Sequence, residues 1–308
     1  MGSTIQSYLS NDSKRLEVAL NLDSGSARIE VQCLLQSVLQ VNRAYLLCHS
    51  EQPLVADQFA RYMPLLERRM AGEPIAYLLG SREFYGLNFK VTPATLIPRP
   101  ETELLVEIAL QHIPSPPNPL PLAGEGGRQA GRGKAFRVLD LGTGSGAIAL
   151  SIAHERPSAE VVAVDDSTDA LEVAQYNAQL FALGNVRLMH SNWFSALQGE
   201  RFDIIASNPP YIASGDAHLT QGDVRFEPPF ALVSGTDGLD AIRIIISAAK
   251  DHLNAGGWLM FEHGYDQAAQ VRRLLQESGF VSVFSARDLA GIERVSGGSC
   301  QAPTKTAG

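Results

Sequence analysis

The N-terminal part of the chain repeats apolar residues at spacings of three and four, the pattern of amphipathic helices. Three stretches show this spacing: SYLSNDSKRLEVALNLDS, ARIEVQCLLQSVLQVNRAYLLCHS and VADQFARYMPLLERRMAGEP. Each is bounded by Ser, Asn, Asp, Gly or Pro, the residues that commonly begin and end helices. The pattern predicts a small all-helical domain over residues 1–88.

The periodicity then changes to that of a pair of strands. EFYGLNFKVT alternates around a Gly-Leu-Asn turn and predicts a β-hairpin. Pro98 and Pro100 bracket a rigid turn, and ETELLVEIALQHI has the spacing of an amphipathic helix. We assign residues 89–113 to the hairpin and this connecting helix.

Residues 114–135 contain five Pro and five Gly in 22 positions. Such a segment cannot bury enough apolar surface to offset the entropy that it loses on ordering. The composition predicts a flexible insertion at the surface.

From Phe136 onward, continuous apolar stretches alternate with amphipathic ones. Six of these stretches predict strands: FRVLDLG, EVVAVDD, VRLMHS, FDIIASN, GWLMFEHG and VSVFSARD. Apolar strands between amphipathic helices are typical of a mostly parallel sheet that is covered on both faces. We therefore predict a doubly wound α/β domain over residues 136–298 and a disordered tail over residues 299–308.

Charge and composition restrict the class of protein. The 308 residues carry a net charge of −8. Residues 1–90 hold nine basic and nine acidic side chains, so residues 91–308 carry the whole excess. No basic stripe suited to duplex nucleic acid is visible, and no apolar run approaches the roughly 18 residues of a membrane-spanning helix.

The cysteines and histidines carry two further predictions. Three scattered cysteines predict a reducing, cytoplasmic location. Seven histidines without the spacing of metal ligands predict that no metal is bound.

A glycine-rich turn predicts a nucleoside site. VLDLGTGSGAIAL places Gly142, Gly144 and Gly146 between a strand and a helix, where glycines permit a tight turn and close approach of a ligand. Asp165 ends the next strand, at the distance where a carboxylate can accept hydrogen bonds from ribose hydroxyls. Its neighbour Asp166 is the weaker candidate, because Asp166 or Ser167 suits the cap of the following helix.

The second motif is Asn208-Pro209-Pro210-Tyr211, directly after the predicted strand FDIIASN. A planar nitrogen has a delocalised lone pair and is a poor nucleophile. The Asn208 side-chain oxygen and the Pro209 carbonyl can accept hydrogen bonds from the two N–H groups of such a nitrogen. These hydrogen bonds strengthen when the nitrogen attacks an electrophile and gains positive charge. The Tyr211 ring can stack on the flat group. By itself this motif fits the planar nitrogen of an adenine, a guanine or a glutamine amide.

The G-x-G-x-G spacing after Asp140, with Asp165 downstream, resembles class I S-adenosylmethionine-dependent methyltransferases. Two longer stretches, GEPIAYLLGSREFYGLNFKVTPATLIPRPETELLVE and HLTQGDVRFEPPFALVSGTDGL, closely resemble the protein-(glutamine-N5) methyltransferases that modify peptide chain release factors. That similarity runs from the helical domain to DLAGIERV, broken only by residues 114–135. It implies a seven-stranded, mostly parallel class I sheet joined by the hairpin to an N-terminal substrate-recognition domain.

The resemblance also implies partners and roles. The cofactor is expected to be S-adenosylmethionine, and the target to be the glutamine of the Gly-Gly-Gln motif in class 1 release factors. A monomer without a stable nucleic-acid or membrane partner is expected. Cofactor contacts are expected at Gly142, Thr143, Gly144, Ser145, Gly146, Asp165, Trp193 and Asn208. Catalysis is assigned to Asn208, Pro209 and Tyr211, and substrate binding to these three together with Pro210.

Three further candidates are weaker. Glu262 follows a strand near the site, where a structural hydrogen bond to a loop is expected, while Arg225 and Glu227 are expected to be positioning residues on a loop that covers the substrate. The ending ERVSGGSC departs from the family pattern and places the last strand in doubt. The alternatives are a glutamine methyltransferase acting on a ribosomal protein, a DNA adenine-N6 methyltransferase, and a binding module without activity.

Overall fold

The computed structural model describes residues 4–114 and 135–301, so most of the predicted insertion over residues 114–135 and residues 302–308 of the predicted tail lie outside the described residues. The chain forms two compact units. The first contains residues 4–81 and Ala217–Phe226, and the second contains the described residues of 82–216 and 227–301.

The described residues form ten α-helices and nine strands. The helices are α1 (Ile5–Leu20), α2 (Ser24–Leu39), α3 (Arg43–Cys48), α4 (Ala56–Met70), α5 (Ile75–Leu79), α6 (Glu103–His112), α7 (Ala147–Glu155), α8 (Thr168–Leu180), α9 (Asp240–Ala249) and α10 (Ala268–Glu277). The strands are β1 (Ser81–Phe84), β2 (Leu87–Lys90), β3 (Arg137–Leu141), β4 (Glu160–Asp165), β5 (Val186–His190), β6 (Phe202–Ser207), β7 (Leu253–Glu262), β8 (Val281–Arg287) and β9 (Glu293–Ser299).

The first unit is a helical bundle, as its periodicity predicts. Leu9, Leu16 and Leu35 are among the fully buried residues of its core. An ion-pair network also holds it together, in which the buried Arg69 bonds Glu30 at 2.7 Å and Asp223 at 3.0 Å. Asp223 comes from the segment Ala217–Phe226, which lies more than 130 residues beyond the bundle in sequence. The helical periodicity gives no sign that this segment belongs to the bundle.

The boundary of the helical domain differs from the prediction. Helix α5 ends at Leu79, and Gly80 takes the left-handed conformation that closes it. The hairpin then occupies β1 and β2, so the predicted boundary at residue 88 falls inside a strand. The alternation in EFYGLNFKVT locates the hairpin at residues 83–92, so the error lies in the domain boundary and not in the hairpin itself.

The second unit contains a seven-stranded sheet in the order β5-β4-β3-β6-β7-β9-β8. The pairs from β5 to β7 are parallel, and β9 runs antiparallel to both of its neighbours. Successive side chains of β3 lie on opposite faces of the sheet, since Val138 packs in one core cluster and Leu139 in the other. Helices α6 and α7 contribute to the first cluster, and α9 and α10 to the second. The predicted doubly wound class I fold is confirmed.

The last strand, which the sequence placed in doubt, is present. Strand β9 lies between β7 and β8, and its small residues suit that place. A Cβ at Gly297 would lie 2.7 Å from the Leu259 carbonyl oxygen and 2.8 Å from the Phe284 ring. Ser299 still pairs with β7, and the Cys300 N–H donates to the Gly257 carbonyl at 2.8 Å. The beginning of the predicted tail over residues 299–308 is therefore part of the sheet.

In the described ranges, no helix combines the length and the hydropathy that crossing a bilayer requires.

Candidate active site

A cavity of about 440 Å3 lies in the second unit, where β3, β4, β5 and β6 reach their carboxyl ends. This edge is where open α/β sheets bind ligands. The sequence-predicted residues that line the cavity are Gly142, Thr143, Gly144, Ser145, Asp165, Trp193, Asn208 and Pro210. The remaining predicted site residues, Gly146, Pro209 and Tyr211, are not among the lining residues.

The glycine loop takes the shape that its sequence predicts. Gly142, Gly144 and Gly146 all have positive φ, at 71°, 56° and 86°. Gly142 and Gly144 line the cavity, and a Cβ at either position would meet no atom closer than 3.8 Å. A Cβ at Gly146, by contrast, would lie 2.7 Å from Leu150 Cδ1. Gly146 thus allows close packing at the start of α7, and its positive φ helps to shape the loop although it does not line the cavity.

Asp165 is fixed at the cavity wall by backbone donors. Its Oδ2 accepts the Gly144 N–H at 2.8 Å, and its Oδ1 accepts the Ser167 N–H at 2.9 Å. Burial raises the pKa of this carboxyl, and the two backbone bonds oppose that shift. Ser167 caps α8, as predicted, by accepting the Ala170 N–H, while Asp166 lines the cavity beside Asp165.

Asp140 is a buried carboxyl behind the loop to which the sequence reasoning gave no role. Its Oδ2 accepts from the Thr143 hydroxyl at 2.6 Å and from the Ala149 N–H at 3.2 Å. Its Oδ1 is buried and has no hydrogen-bond partner within the described ranges. Burial raises the pKa of Asp140 to about 7. The available signal was a single acid between two leucines near the end of the strand.

Trp193 both packs in the core and lines the cavity. Its backbone has a φ of 47°, and the Ser191 hydroxyl donates to its carbonyl at 2.8 Å. The half-buried indole packs against the second core cluster and lines the cavity as well. The preceding Asn192 also lines the cavity and donates to Asp166 Oδ2 at 3.1 Å.

Asn208 lies directly after β6, whose last residue, Ser207, donates to the Leu141 carbonyl at 2.7 Å. The Asn208 side-chain Nδ2 donates to Thr102 Oγ1 at 3.2 Å. Its Oδ1 is buried and without a hydrogen-bond partner in the part of the chain that the structure describes. A buried amide oxygen without a donor carries a desolvation cost, which an N–H group from a ligand can relieve.

Tyr211 is held at both its hydroxyl and its backbone. The hydroxyl donates to Glu262 Oε1 at 3.1 Å, and the carbonyl accepts from Gln267 Nε2 at 2.9 Å. Burial, with the nearby Glu262 charge, raises the pKa of Tyr211 far above its ordinary value. Glu262 makes the structural hydrogen bond that the sequence suggested, and it accepts a second one from Thr102 at 2.5 Å.

The two positioning candidates on the predicted covering loop belong to different units. Arg225 lies in the first unit, where it donates to the Ala71 carbonyl at 3.0 Å. Glu227 is buried in the second unit and accepts from Arg99 at 2.6 Å and from the Ile97 N–H at 3.3 Å. Neither lines the cavity. Glu227 instead fixes the segment that leads to Thr102.

Phe230 is a cavity-lining residue that the sequence reasoning missed. It lies in a short 3₁₀ turn, Pro229–Ala231, and 61% of its surface is exposed. An exposed aromatic ring that lines a cavity presents a large apolar surface that a ligand or partner can cover. The adjacent Pro-Pro pair gave a turn signal, but the sequence alone did not indicate which side chain reaches the site.

Comparisons with known proteins place this site in a class. The family model described as Methyltransferase small domain matches residues 130–224. The structure of a T. thermophilus 16S rRNA N2 G1207 methyltransferase, in complex with AdoMet and guanosine, superimposes with a TM-score of 0.50 at 25% identity. The match covers 72% of this chain and 50% of that chain. The fold and the glycine loop are those of class I S-adenosylmethionine-dependent methyltransferases, and this chain is one of them.

The comparisons also define the family. The PrmC N-terminal domain model matches residues 13–80. A release factor glutamine methyltransferase of Xylella fastidiosa is 50% identical over 273 residues, which are 89% of this chain and 93% of that protein. The protein of the same description from Escherichia coli is 45% identical, covering 88% of this chain and 92% of its own length. The chain belongs to the release factor glutamine methyltransferase family.

Proposed function

We propose that this protein transfers the methyl group of S-adenosylmethionine to the side-chain N5 of the glutamine in the Gly-Gly-Gln motif of class 1 release factors. The observation that carries the proposal is the Asn208 side chain. Its Nδ2 donates a hydrogen bond to Thr102, while its buried Oδ1 accepts none from the described residues. A primary amide of the substrate has two N–H groups and can supply the missing donor.

The residues of the cavity fit an adenosine-containing cofactor. A volume of about 440 Å3 lies within the range of small-molecule sites, and its walls combine apolar surface with a fixed carboxylate. Asp165 has lone pairs left for ribose hydroxyls after it accepts its two backbone bonds. Gly142 and Gly144 have no side chains, so they leave room for the cofactor beside the loop. Trp193 offers the cofactor an aromatic face. When bound, S-adenosylmethionine supplies an electrophilic methyl group on a sulfonium.

The acceptor residues perform the chemistry that the protein has to supply. Asn208 Oδ1 accepts one N–H of the glutamine amide, and the Pro209 carbonyl accepts the other. Both bonds strengthen as the nitrogen loses its conjugation and becomes positive, so they stabilise the transition state more than the ground state. The proline rings limit backbone motion and hold that carbonyl in place. No strong base is required, because the proton can leave after methyl transfer.

The remaining site residues act around this pair. We assign cofactor binding to Gly142, Thr143, Gly144, Ser145, Asp165, Trp193 and Asn208, with Gly146 supporting the loop. Pro210 contributes to the cavity wall on the substrate side. We assign Tyr211 a supporting role in place of the stacking contact that the motif suggested, because its hydroxyl and its carbonyl are already bonded and it does not line the cavity.

We assign recognition of the protein substrate to the first unit. Its match to the PrmC N-terminal domain model supports this assignment. The net charge of −8 favours a protein substrate over duplex DNA, which needs a basic surface. We further propose that the enzyme acts in the cytoplasm as a monomer.

A labelling assay tests the proposal. The protein is incubated with S-adenosylmethionine carrying a labelled methyl group and with a class 1 release factor, a Gly-Gly-Asn version of that factor, ribosomal protein or duplex DNA. We expect label only in the unaltered release factor. Asn208→Ala is expected to lower kcat by about 10²- to 10³-fold, in line with the loss of one transition-state hydrogen bond.

The matched control is Asn254→Ala, which removes a half-buried asparagine that donates to Asp203 at 2.7 Å, away from the cavity. Its kcat is expected to stay near that of the wild type. Label in ribosomal protein or DNA instead of release factor, or full activity of Asn208→Ala, would overturn the proposed function.

A further inference from the structure

Three polar side chains from separate parts of the second unit form one chain of hydrogen bonds. Glu262 ends β7, Thr102 precedes α6, and Asn208 follows β6. The Thr102 hydroxyl donates to Glu262 Oε2 at 2.5 Å, and Asn208 Nδ2 donates to Thr102 Oγ1 at 3.2 Å. The Glu262 side chain is deeply buried, with only 2% of the residue exposed. We call this chain the Glu262–Thr102–Asn208 relay.

The direction of each bond in the relay follows from the number of protons available. Glu262 accepts at both of its oxygens, from the Thr102 and Tyr211 hydroxyls, so the single hydroxyl proton of Thr102 is used by Glu262. Thr102 Oγ1 then presents only lone pairs to Asn208. The amide must turn its NH₂ group toward Thr102, because the opposite orientation would set its oxygen against another acceptor. The relay therefore decides which end of the Asn208 amide remains free.

Glu262 is fixed by its other neighbours. Its second oxygen accepts the Tyr211 hydroxyl at 3.1 Å. Burial, with the charge of Glu101, raises the pKa of Glu262, and the hydrogen bonds from Thr102 and Tyr211 and the charge of Arg294 oppose that shift. With both oxygens engaged, this carboxylate cannot rotate to release Thr102 without losing two hydrogen bonds.

We infer that Glu262 and Thr102 are positioning residues that orient the Asn208 amide, so that its Oδ1 is the atom presented to the substrate N–H. The inference rests on the proposed function only in naming that N–H as the glutamine amide. Thr102 lines the cavity beside Asn208, but its hydroxyl is committed to the relay. Without the relay the amide can adopt either orientation, and one of these places NH₂ against the N–H of the substrate.

The test compares two substitutions at one position. Thr102→Val removes the hydroxyl while keeping the branched shape, and Thr102→Ser keeps the hydroxyl. We expect Thr102→Val to lower kcat about 10- to 100-fold with KM for release factor changed less than threefold, and Thr102→Ser to recover most of kcat. Ser296→Ala, which removes a buried β9 hydroxyl that bonds His263 and is not part of the relay, controls for loss of stability.

A double-mutant cycle separates orientation from stability. If Thr102 acts through Asn208, Thr102→Val should lower kcat no further once Asn208→Ala is present. Equal fold-losses in both backgrounds would show an independent effect and overturn the inference. So would a folded Thr102→Ser variant as impaired as Thr102→Val, because the hydroxyl would then not be the group that matters.

A second readout does not depend on the substrate. The side-chain amide signal of Asn208 in a ¹H–¹⁵N spectrum is assigned as the one missing from Asn208→Ala. We expect its protons to exchange slowly in the wild type and in Thr102→Ser, and quickly in Thr102→Val. If the wild type fails to label release factor, the proposed function fails while this measurement still decides the orientation. Unchanged exchange in Thr102→Val would overturn the relay even if labelling succeeds.

Discussion

The Gly144 N–H donates to Asp165 Oδ2 at 2.8 Å, so the glycine loop after β3 is tied to the carboxylate that ends β4. These two residues were predicted separately as contacts of one ligand. Their hydrogen bond means that Asp165 serves the loop as well as the cavity, because a carboxylate oxygen can accept from the backbone and from a ligand at once. Loop shape and ligand affinity are consequently coupled at this carboxylate.

Replacing Asp165 by Ala is therefore expected to weaken S-adenosylmethionine binding by about 10- to 100-fold, the equivalent of losing a hydrogen bond to a charged group. Isothermal titration calorimetry measures this change. Asp169→Ala, which removes an exposed carboxylate from the first turn of α8, is the matched control and should bind within about twofold of the wild type. Equal losses in both variants would show that net charge, rather than the position of Asp165, sets the affinity.

Asp140 should make stability depend on pH. Its pKa rises from 3.8 to about 7 on folding, so between these values the folded state keeps a proton that the unfolded state has lost. The free energy of unfolding then falls as the pH rises, by about 4 kcal/mol across this window for this one group. Asp140→Asn lacks this contribution.

The experiment is urea unfolding of the wild type and Asp140→Asn without ligand between pH 4 and pH 8. The difference in free energy of unfolding, wild type minus variant, should decrease steadily with rising pH up to about 7 and then level off. Two parallel curves would contradict the raised pKa of Asp140.

Phe230 should contribute to substrate affinity. Covering an exposed aromatic ring on binding stabilises the complex by about 1–2 kcal/mol, so Phe230→Ala is expected to raise KM for release factor about 10-fold with a smaller effect on kcat. Tyr265→Ala is the matched control, since Tyr265 is 64% exposed and does not line the cavity. A change in S-adenosylmethionine affinity alone would instead assign Phe230 to the cofactor.

Gly297→Ala tests why β9 has small residues. The added Cβ would approach the Leu259 carbonyl oxygen to 2.7 Å, and backbone cannot move aside as a side-chain tip can. We expect the free energy of unfolding to fall by about 1–3 kcal/mol, the range for overpacked sites. Gly184→Ala, where the new Cβ would meet no atom within 4 Å, is the control and should change stability much less. Similar small effects at both positions would show that the sheet accepts larger residues.

Much of the fold was predictable because its signals are local. Helical spacing in the first unit and apolar strands between amphipathic helices in the second gave the right element types. The hairpin itself was recognised from its alternation, but the boundary placed at residue 88 cuts through its second strand. Strand β9 was doubted because small polar residues have little strand propensity. In the structure β9 is stabilised instead by pairing on both sides, with β7 and β8.

The sequence by itself determined the glycine turn, the carboxylate at the end of β4 and the Asn-Pro-Pro-Tyr motif at the end of β6, since each depends on a few consecutive residues. Only the tertiary structure decided what these groups do together. Thr102 lies 106 residues before Asn208, yet its hydroxyl sets the direction of the Asn208 amide, and Glu262 sets that of the hydroxyl. Hydrogen-bond direction is a property of the whole connected chain of donors and acceptors, so it is fixed only once folding brings the three residues together.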